Sequence, residues 1–200
     1  MSLKTSYRFI APFYDIFIER ASASARRRNL EILASQKSRR VLISGAGTGL
    51  DFPFLAAQHD YTALDLTSSM LAKSRNRAPG LRMTWVRGDS MALPFTDNSF
   101  DCVVLHLITA VVPEPHLCLA EAARVLHPGG QILLFDKFLR RGQSALLRRA
   151  LSPLAAQLAT RLDVVFEDVL ENVPQLQKLS DEPALAHGWF RLIELKKISG

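Results

Sequence analysis

Glycines stand at positions 45, 47 and 49, directly after an apolar run, in the segment VLISGAGTGL (41–50). Closely spaced glycines behind a strand let the backbone approach a ligand and take conformations closed to other residues. A helix that follows such a loop adds free N–H groups and the positive end of its dipole. The pattern therefore points to a cradle for a nucleotide-like group. A dinucleotide fingerprint would carry a further glycine for helix–strand packing where Leu50 stands. The acidic residue common two places before the first glycine is replaced by Ile43. Twenty residues after Gly45, Asp65 ends a second apolar run. A carboxylate there can accept both hydroxyls of a ribose, although Asp65 and Thr67 are also candidates to cap the next helix. Asp89, in RGDSMALPF, is either a turn residue or an acceptor for an adenine amino group, with Met91 and Leu66 placed to cover the ring faces. His106 closes a fourth apolar run, either as a site residue or as a strand-end polar group satisfied by backbone.

These residues need a scaffold that brings the ends of several strands together. Short apolar runs alternate with helical patterns, which predicts βαβ units and a parallel sheet. Strands are expected at 40–44, 61–65, 82–87, 100–107, 130–138 and 189–198, with 176–179 as a neighbour of the last. Helices are expected at 49–58, 68–78 and 115–127, the last stopped by HPGG (His127–Gly130). Before the first strand, Phe9, Phe13 and Phe17, with Ile10 and Ile16 beside them, mark one face of a helix, in a region broken near Pro12. After the fifth strand, Leu147, Leu151, Leu154, Leu158 and Leu162 recur at helical steps, with Ser152 and Pro153 as the start of a second helix. The whole chain, 1–200, reads as one domain: a helical cap over 1–38, a ligand-binding core over 39–138, a helical insertion over 139–172 and C-terminal strands over 173–200.

The net charge of +6 is unevenly spread. Residues 1–40 and 137–162 are each net +6, whereas 41–136 and 163–200 are each net −3. Cys102 and Cys118 form neither a metal clip nor a disulfide framework, and no metal-ligand cluster is expected. The longest stretch without a charged residue, 102–113, is too short to span a bilayer. The N-terminus has no signal-peptide pattern, so a cytoplasmic location is expected. Nothing in the sequence sets the oligomeric state.

The stretches VLISGAGTG, ALDLTSSML, RGDSMALPFTDNSFDCVV and EAARVLHPGGQILLFD together resemble class I S-adenosylmethionine-dependent methyltransferases. The resemblance implies an α/β fold: a doubly wound, seven-stranded Rossmann-like sheet, mostly parallel, with an antiparallel last strand and N-terminal helices. It implies S-adenosyl-L-methionine as cofactor, leaving as S-adenosyl-L-homocysteine. Gly45, Ala46, Gly47 and Gly49 would approach its methionine part, and Asp65 its ribose. Leu66, Met70 and Met91 would border the adenine, and Asp89 with Ser90 would read its edge. His106 and Leu107 would lie near the sulfonium and the substrate. Ile43 departs from the family's usual acid, and Ser44 is a polar group able to replace it. The segment HLITAVVPEP lacks the Asn/Asp-Pro-Pro-aromatic motif of many methylases of nucleic acid bases and protein amides.

APFYDIF, LITAVVPEP and KFLRR…LLRRALSPLA further resemble short bacterial phosphatidylethanolamine N-methyltransferases. This resemblance implies methylation of a phospholipid head-group amine by a chain docked on the inner face of the cytoplasmic membrane. Tyr7 and Tyr14 would close over the cofactor or head group, with Tyr14 or His106 as candidate catalytic groups. Arg26, Arg27, Arg28, Arg140, Arg141, Arg148 and Arg149 would meet an anionic membrane surface. The rival expectation is a C- or O-methyltransferase acting on a quinone precursor. Nucleic acid is not expected as a partner, because the basic segments carry aliphatic residues and no recognisable nucleic-acid module.

Overall fold

A computed structural model describes residues 22–142, 163–185 and 188–198. Tyr7, Tyr14, Arg148, Arg149 and the helical patterns expected before residue 22 and over 147–162 lie outside the described residues. Helix α1 covers 22–34. It is followed by β1 (Arg40–Ser44), β2 (Asp60–Asp65), α2 (Ser68–Ser74), β3 (Arg82–Arg87), β4 (Phe100–His106), α3 (Pro115–Val125), β5 (Leu126–Lys137), α4 (Phe166–Glu171), β6 (Leu176–Leu185) and β7 (Phe190–Lys197).

The strands form one seven-stranded sheet in the order β3-β2-β1-β4-β5-β7-β6. Neighbours from β3 to β5 pair in parallel. β7 runs antiparallel to both β5 and β6, as expected for the last strand. The chain winds outward from β1 in both directions, so the strand order reverses between β1 and β4. The carboxyl ends of those two strands flank the crevice where open α/β sheets bind ligands.

Alternation along the strands builds two apolar layers. Val41, Ile43, Ala63, Cys102, Val104 and Leu133 face one side with Leu30 and Leu33 of α1. Leu42, Leu64, Val103, Leu105, Leu134 and Ile193 face the other with Leu119, Ala122 and Ala123 of α3. Ile43 is thus an interior residue of the layer under α1, only 1% exposed.

Three expected elements are redrawn. The helix expected over 49–58 is a single 3-10 turn, Phe52–Phe54, after which Leu55 is extended. Pro53 suits a first helical turn but has no N–H to give. Phe52 is buried in the layer under α1, and β2 already begins at Asp60. α3 stops at Val125, and Leu126 already pairs with Phe100. The register then jumps to Cys102 opposite Gln131, so HPGG is an irregularity in β5 rather than only a helix stop. β6 runs beyond 179 to Leu185, through Pro183. Proline is tolerated there because β6 is an edge strand, where one side of the backbone needs no ladder partner.

Candidate active site

The glycine loop leaves β1 at the crevice and is fixed from both sides. The N–H groups of Gly45 and Ala46 donate to the carbonyl of Leu64, each at 2.9 Å. Gly45 has φ +76°, and a Cβ there would lie 2.6 Å from Cγ1 of Ile108. Gly45 is therefore a close-packing position: the loop after β4 sits on it. Gly47 differs, with φ +53° and nothing within 4 Å of a Cβ built on it. The backbone at Gly47 borders open space, and a side chain there would project into it.

Asp65, at the end of β2, accepts the Gly47 N–H at 2.8 Å through Oδ2 and the Thr67 N–H at 2.8 Å through Oδ1. Its carboxylate is thus oriented by the loop itself, and each oxygen keeps a lone pair for a hydroxyl donor. Leu66 and Met70 expose apolar surface beside it, Leu66 being 63% exposed. Asp89 accepts the Met91 N–H at 2.9 Å, which turns Met91 against the apolar layer. Ser90 is buried and receives a hydrogen bond from Ser44 Oγ at 2.8 Å, tying the ends of β1 and β3 together. That bond commits Ser44 to the sheet rather than to a replacement for the missing acid.

The turn bearing Asp89 and Met91 is anchored from α3. Glu121 accepts the Leu93 N–H at 2.7 Å, and Arg124 donates to the carbonyls of Leu93 and Phe95. Arg124 also pairs with Asp97 and Glu121, both at 2.7 Å.

His106 is not an open proton acceptor. It is 4% exposed, with Nδ1 2.6 Å from Asp51 Oδ1, Nε2 2.8 Å from Asn29 Oδ1, and its ring edge-on to Phe135. With both ring nitrogens occupied, the catalytic role expected from sequence becomes a structural one in this geometry. Asp51 Oδ1 also accepts from Arg26 Nη1 at 2.7 Å, and Arg26 Nε donates to Ser22 Oγ at 3.0 Å. Burial alone would raise the Asp51 pKa, but the neighbouring His106 and Arg26 reverse this and hold the carboxyl well below the usual carboxylate range. Leu107, next along, takes a left-handed φ of 57° and donates its N–H to the Phe135 carbonyl. It packs against the buried cluster of Ala25, Phe135 and Leu192. Asp136, at the end of β5, is buried and accepts the Ala110 N–H at 2.9 Å, which holds the loop after β4. Burial pushes its pKa up, against the lowering influence of Lys137.

The expected basic surface is also redrawn. Arg26 is 5% exposed and committed to Asp51, so it does not face a membrane. Arg140 pairs with Asp181 at 3.3 Å, and Arg141 with Asp168 at 2.6 Å and Glu171 at 2.7 Å. Arg191, fully buried, bridges Glu167 and Asp181 and donates to the Leu139 carbonyl. The basic segment after β5 and the acidic segment that follows it therefore neutralise one another in part. Arg27 and Arg28 lie on the exposed side of α1, Arg27 over the ring of Phe54 and Arg28 donating to the Pro183 carbonyl.

Residues 42–134 match the family described as "Methyltransferase domain". A phosphatidylethanolamine N-methyltransferase of Cereibacter sphaeroides is 30% identical over 189 residues, 92% of this chain and 92% of that protein. The chain belongs to the class I S-adenosylmethionine-dependent methyltransferases. A ubiquinone/menaquinone biosynthesis C-methyltransferase of Roseobacter denitrificans is 38% identical over 138 residues, which cover 64% of this chain and 55% of that protein. In structure, a geranyl diphosphate methyltransferase solved with S-adenosylmethionine superposes with a TM-score of 0.74 at 14% identity, over 90% of this chain and 86% of that one. At that identity the likeness speaks for the fold.

S-adenosylmethionine is the cofactor of this methyltransferase, and the crevice suits it. Gly47 borders open space, each Asp65 oxygen keeps an acceptor lone pair that would suit a ribose hydroxyl, and Leu66, Met70 and Met91 carry apolar surface that would suit a purine. The bound cofactor supplies an electrophilic methyl group on a sulfonium. The chain's own contribution is to position the reacting groups and exclude water, which suffices when the leaving group is already activated. Among the described residues no cluster of His, Cys, Asp and Glu is suited to hold a metal.

The sequence reading missed Asp51, Asn29 and Asp136 as parts of this region. For Arg26 a signal existed. Ser22, Arg26, Leu30 and Leu33 fall on one helical face, so the helix phase separates Arg26 from Arg27 and Arg28.

Proposed function

We propose that this methyltransferase N-methylates the head-group amine of phosphatidylethanolamine and its partly methylated forms. The observation that carries this reading is end-to-end similarity. The phosphatidylethanolamine enzyme of Cereibacter sphaeroides aligns over 92% of the chain, including the flanks of the 42–134 core, whereas the quinone enzymes align over about 64%. Additions before β1 and after β5 are where acceptor choice is expected to reside. In the reaction the amine, having lost a proton, attacks the methyl carbon. The carbon–sulfur bond breaks, and sulfur leaves with its electron pair as S-adenosylhomocysteine. Tyr14 is a candidate to accept the proton or close over the amine, and Tyr7 to close over the cofactor.

Peripheral docking on the inner face of the cytoplasmic membrane fits the same reading. No helix among the described residues is long and apolar enough to cross a membrane. The docking charge is proposed for Arg27, Arg28, Arg148 and Arg149, since Arg26 is buried and Arg140 and Arg141 have carboxylate partners.

A second reading, a C- or O-methyltransferase of a quinone precursor, is favoured by the 38% identity to the Roseobacter enzyme. The deciding experiment is transfer of labelled methyl from S-adenosylmethionine into mixed phosphatidylethanolamine and phosphatidylglycerol vesicles, with products separated by head group. A parallel arm offers demethylmenaquinol. Label in methylated phosphatidylethanolamine supports the first reading, and label only in the quinol arm overturns it.

A further inference from the structure

Asp51 is placed unlike any other described carboxylate in the crevice. It lies two residues beyond Gly49, is 3% exposed, and binds groups from two other elements through one oxygen: Arg26 of α1 at 2.7 Å and His106 at the end of β4 at 2.6 Å. Asn29, one turn along α1 from Arg26, meets the other nitrogen of the same imidazole at 2.8 Å. The loop on which Asp51 sits is internally tight. Gly49 donates to the Ala46 carbonyl, Phe52 to that of Gly49, and Phe54 to that of Asp51. These bonds run from Phe52, next to Asp51, through Gly49 to Ala46, the neighbour of Gly47, whose N–H orients Asp65.

We propose that Asp51 is a positioning residue for the cofactor: through Arg26 and His106 it makes docking of helix α1 and the cofactor-ready shape of the glycine loop a single event. The inference rests on the cofactor site and not on which acceptor is methylated. Its physical basis is that a buried carboxylate must be matched by its cations. If α1 lifts away, Arg26 and Asn29 go with it: Asp51 loses its ion pair and keeps only the His106 ring, itself no longer held by Asn29, so the loop loses what fixes its form. Because coupling between sites is reciprocal, the cofactor must in turn tighten α1. Ile43 gives this an added reason, since the strand end itself contributes no charge on that face.

The test measures S-adenosylhomocysteine affinity by calorimetry together with the thermal midpoint of the free protein. Asp51→Asn keeps the shape but not the charge. It is expected to weaken the affinity by about 10- to 100-fold, the scale on which a small misplacement acts. The double variant Arg26→Met with Asp51→Leu removes both charges and returns apolar packing, so its midpoint is expected to recover most of what Asp51→Asn loses. Its affinity is expected to stay as weak as that of the single variant. Arg26→Lys, which keeps the charge, is expected to restore affinity to within several-fold of the parent protein. Hydrogen exchange across 22–34 is expected to slow when S-adenosylhomocysteine binds to the parent protein. Parent-like affinity in the double variant, or exchange in α1 that ignores the ligand, would overturn the proposal and leave the cluster a matter of stability alone. If Asp51→Asn does not fold, the double variant, Arg26→Lys and the exchange measurement decide between the same outcomes.

Discussion

Gly45 and Gly47 have the same kind of backbone and opposite surroundings, and that contrast makes a quantitative prediction. Both have positive φ, so an alanine at either pays about 1–2 kcal/mol for the left-handed conformation. At Gly45 the new Cβ would also lie 2.6, 2.7 and 2.9 Å from Cγ1, Cβ and Cδ1 of Ile108, which must move. Overpacking of this kind costs roughly 1–3 kcal/mol more. Gly45→Ala is therefore expected to lose about 2–5 kcal/mol, a fall in midpoint of roughly 4–20 °C for a chain of this size. Gly47→Ala, with nothing within 4 Å, is expected to lose only the conformational part. A methyl at Gly47 would nevertheless project into the open space proposed for the cofactor, so this variant should fold well and bind S-adenosylhomocysteine poorly. Ile108→Ala should be strongly non-additive with Gly45→Ala, returning about 1–3 kcal/mol, because it empties the volume that the new Cβ demands. Denaturant titration of the single and double variants, with calorimetry on those that fold, gives every number. Equal stability losses at both glycines, or simple additivity with Ile108→Ala, would refute the claim that the loop after β4 is seated on Gly45.

Three further outcomes follow from the geometry. Asp65→Asn offers one acceptor oxygen where Gly47 and Thr67 now use two, and turns an amide toward a backbone N–H. S-adenosylhomocysteine affinity should fall by about 10- to 100-fold, the worth of a charge-assisted hydrogen bond, and calorimetry reads it. Arg191→Met leaves Glu167 and Asp181 without their buried cation and should cost about 3–5 kcal/mol at pH 7 by denaturant titration. Burial works to raise both carboxyl pKa values, but Arg191 and the other hydrogen-bond donors hold them below the ordinary carboxylate values. Their contribution is therefore complete above the unfolded-state values and is lost as pH falls through the lowered ones. The penalty of Arg191→Met should shrink in acid, and a constant penalty would contradict the assignment. Finally, burial pushes the thiols of Cys102 and Cys118 up to about 12, so neither should react with a disulfide reagent at pH 8 until the chain unfolds.

The legible parts of this protein are those whose information is local. β1 and β3 occupy the residues predicted for them because their apolar runs are short, continuous and bounded by breakers. β2 and β4 differ only by a residue at one end. The placement of the glycine loop, Asp65 and Asp89 along one edge of the sheet was legible because each sits at or within two residues of the end of an apolar run, and strand ends in such sheets meet at one edge. The helix expected after the loop failed because Phe52 is drawn into the layer beneath α1, a demand invisible in the helical pattern of 49–58. Pro183 hid the length of β6, since a proline argues against a strand until the strand is known to lie at an edge.

By itself the sequence determined the parallel βαβ core through its apolar periodicity, and the resemblance of its motifs to class I S-adenosylmethionine-dependent methyltransferases implied the winding of the sheet and the ligand at its crevice. Tertiary structure decided which partner each charge meets. Arg26 and Arg27 are neighbours in the chain, yet one is sealed against Asp51 and the other is exposed. Arg140 and Arg141, which look like a surface for anions, find their carboxylates in α4 and β6. His106 looks like a base and is held on both nitrogens. A charge acts according to its burial and its nearest partner, and here those partners lie 25 to 77 residues away along the chain. Only the folded sheet brings them within hydrogen-bonding distance.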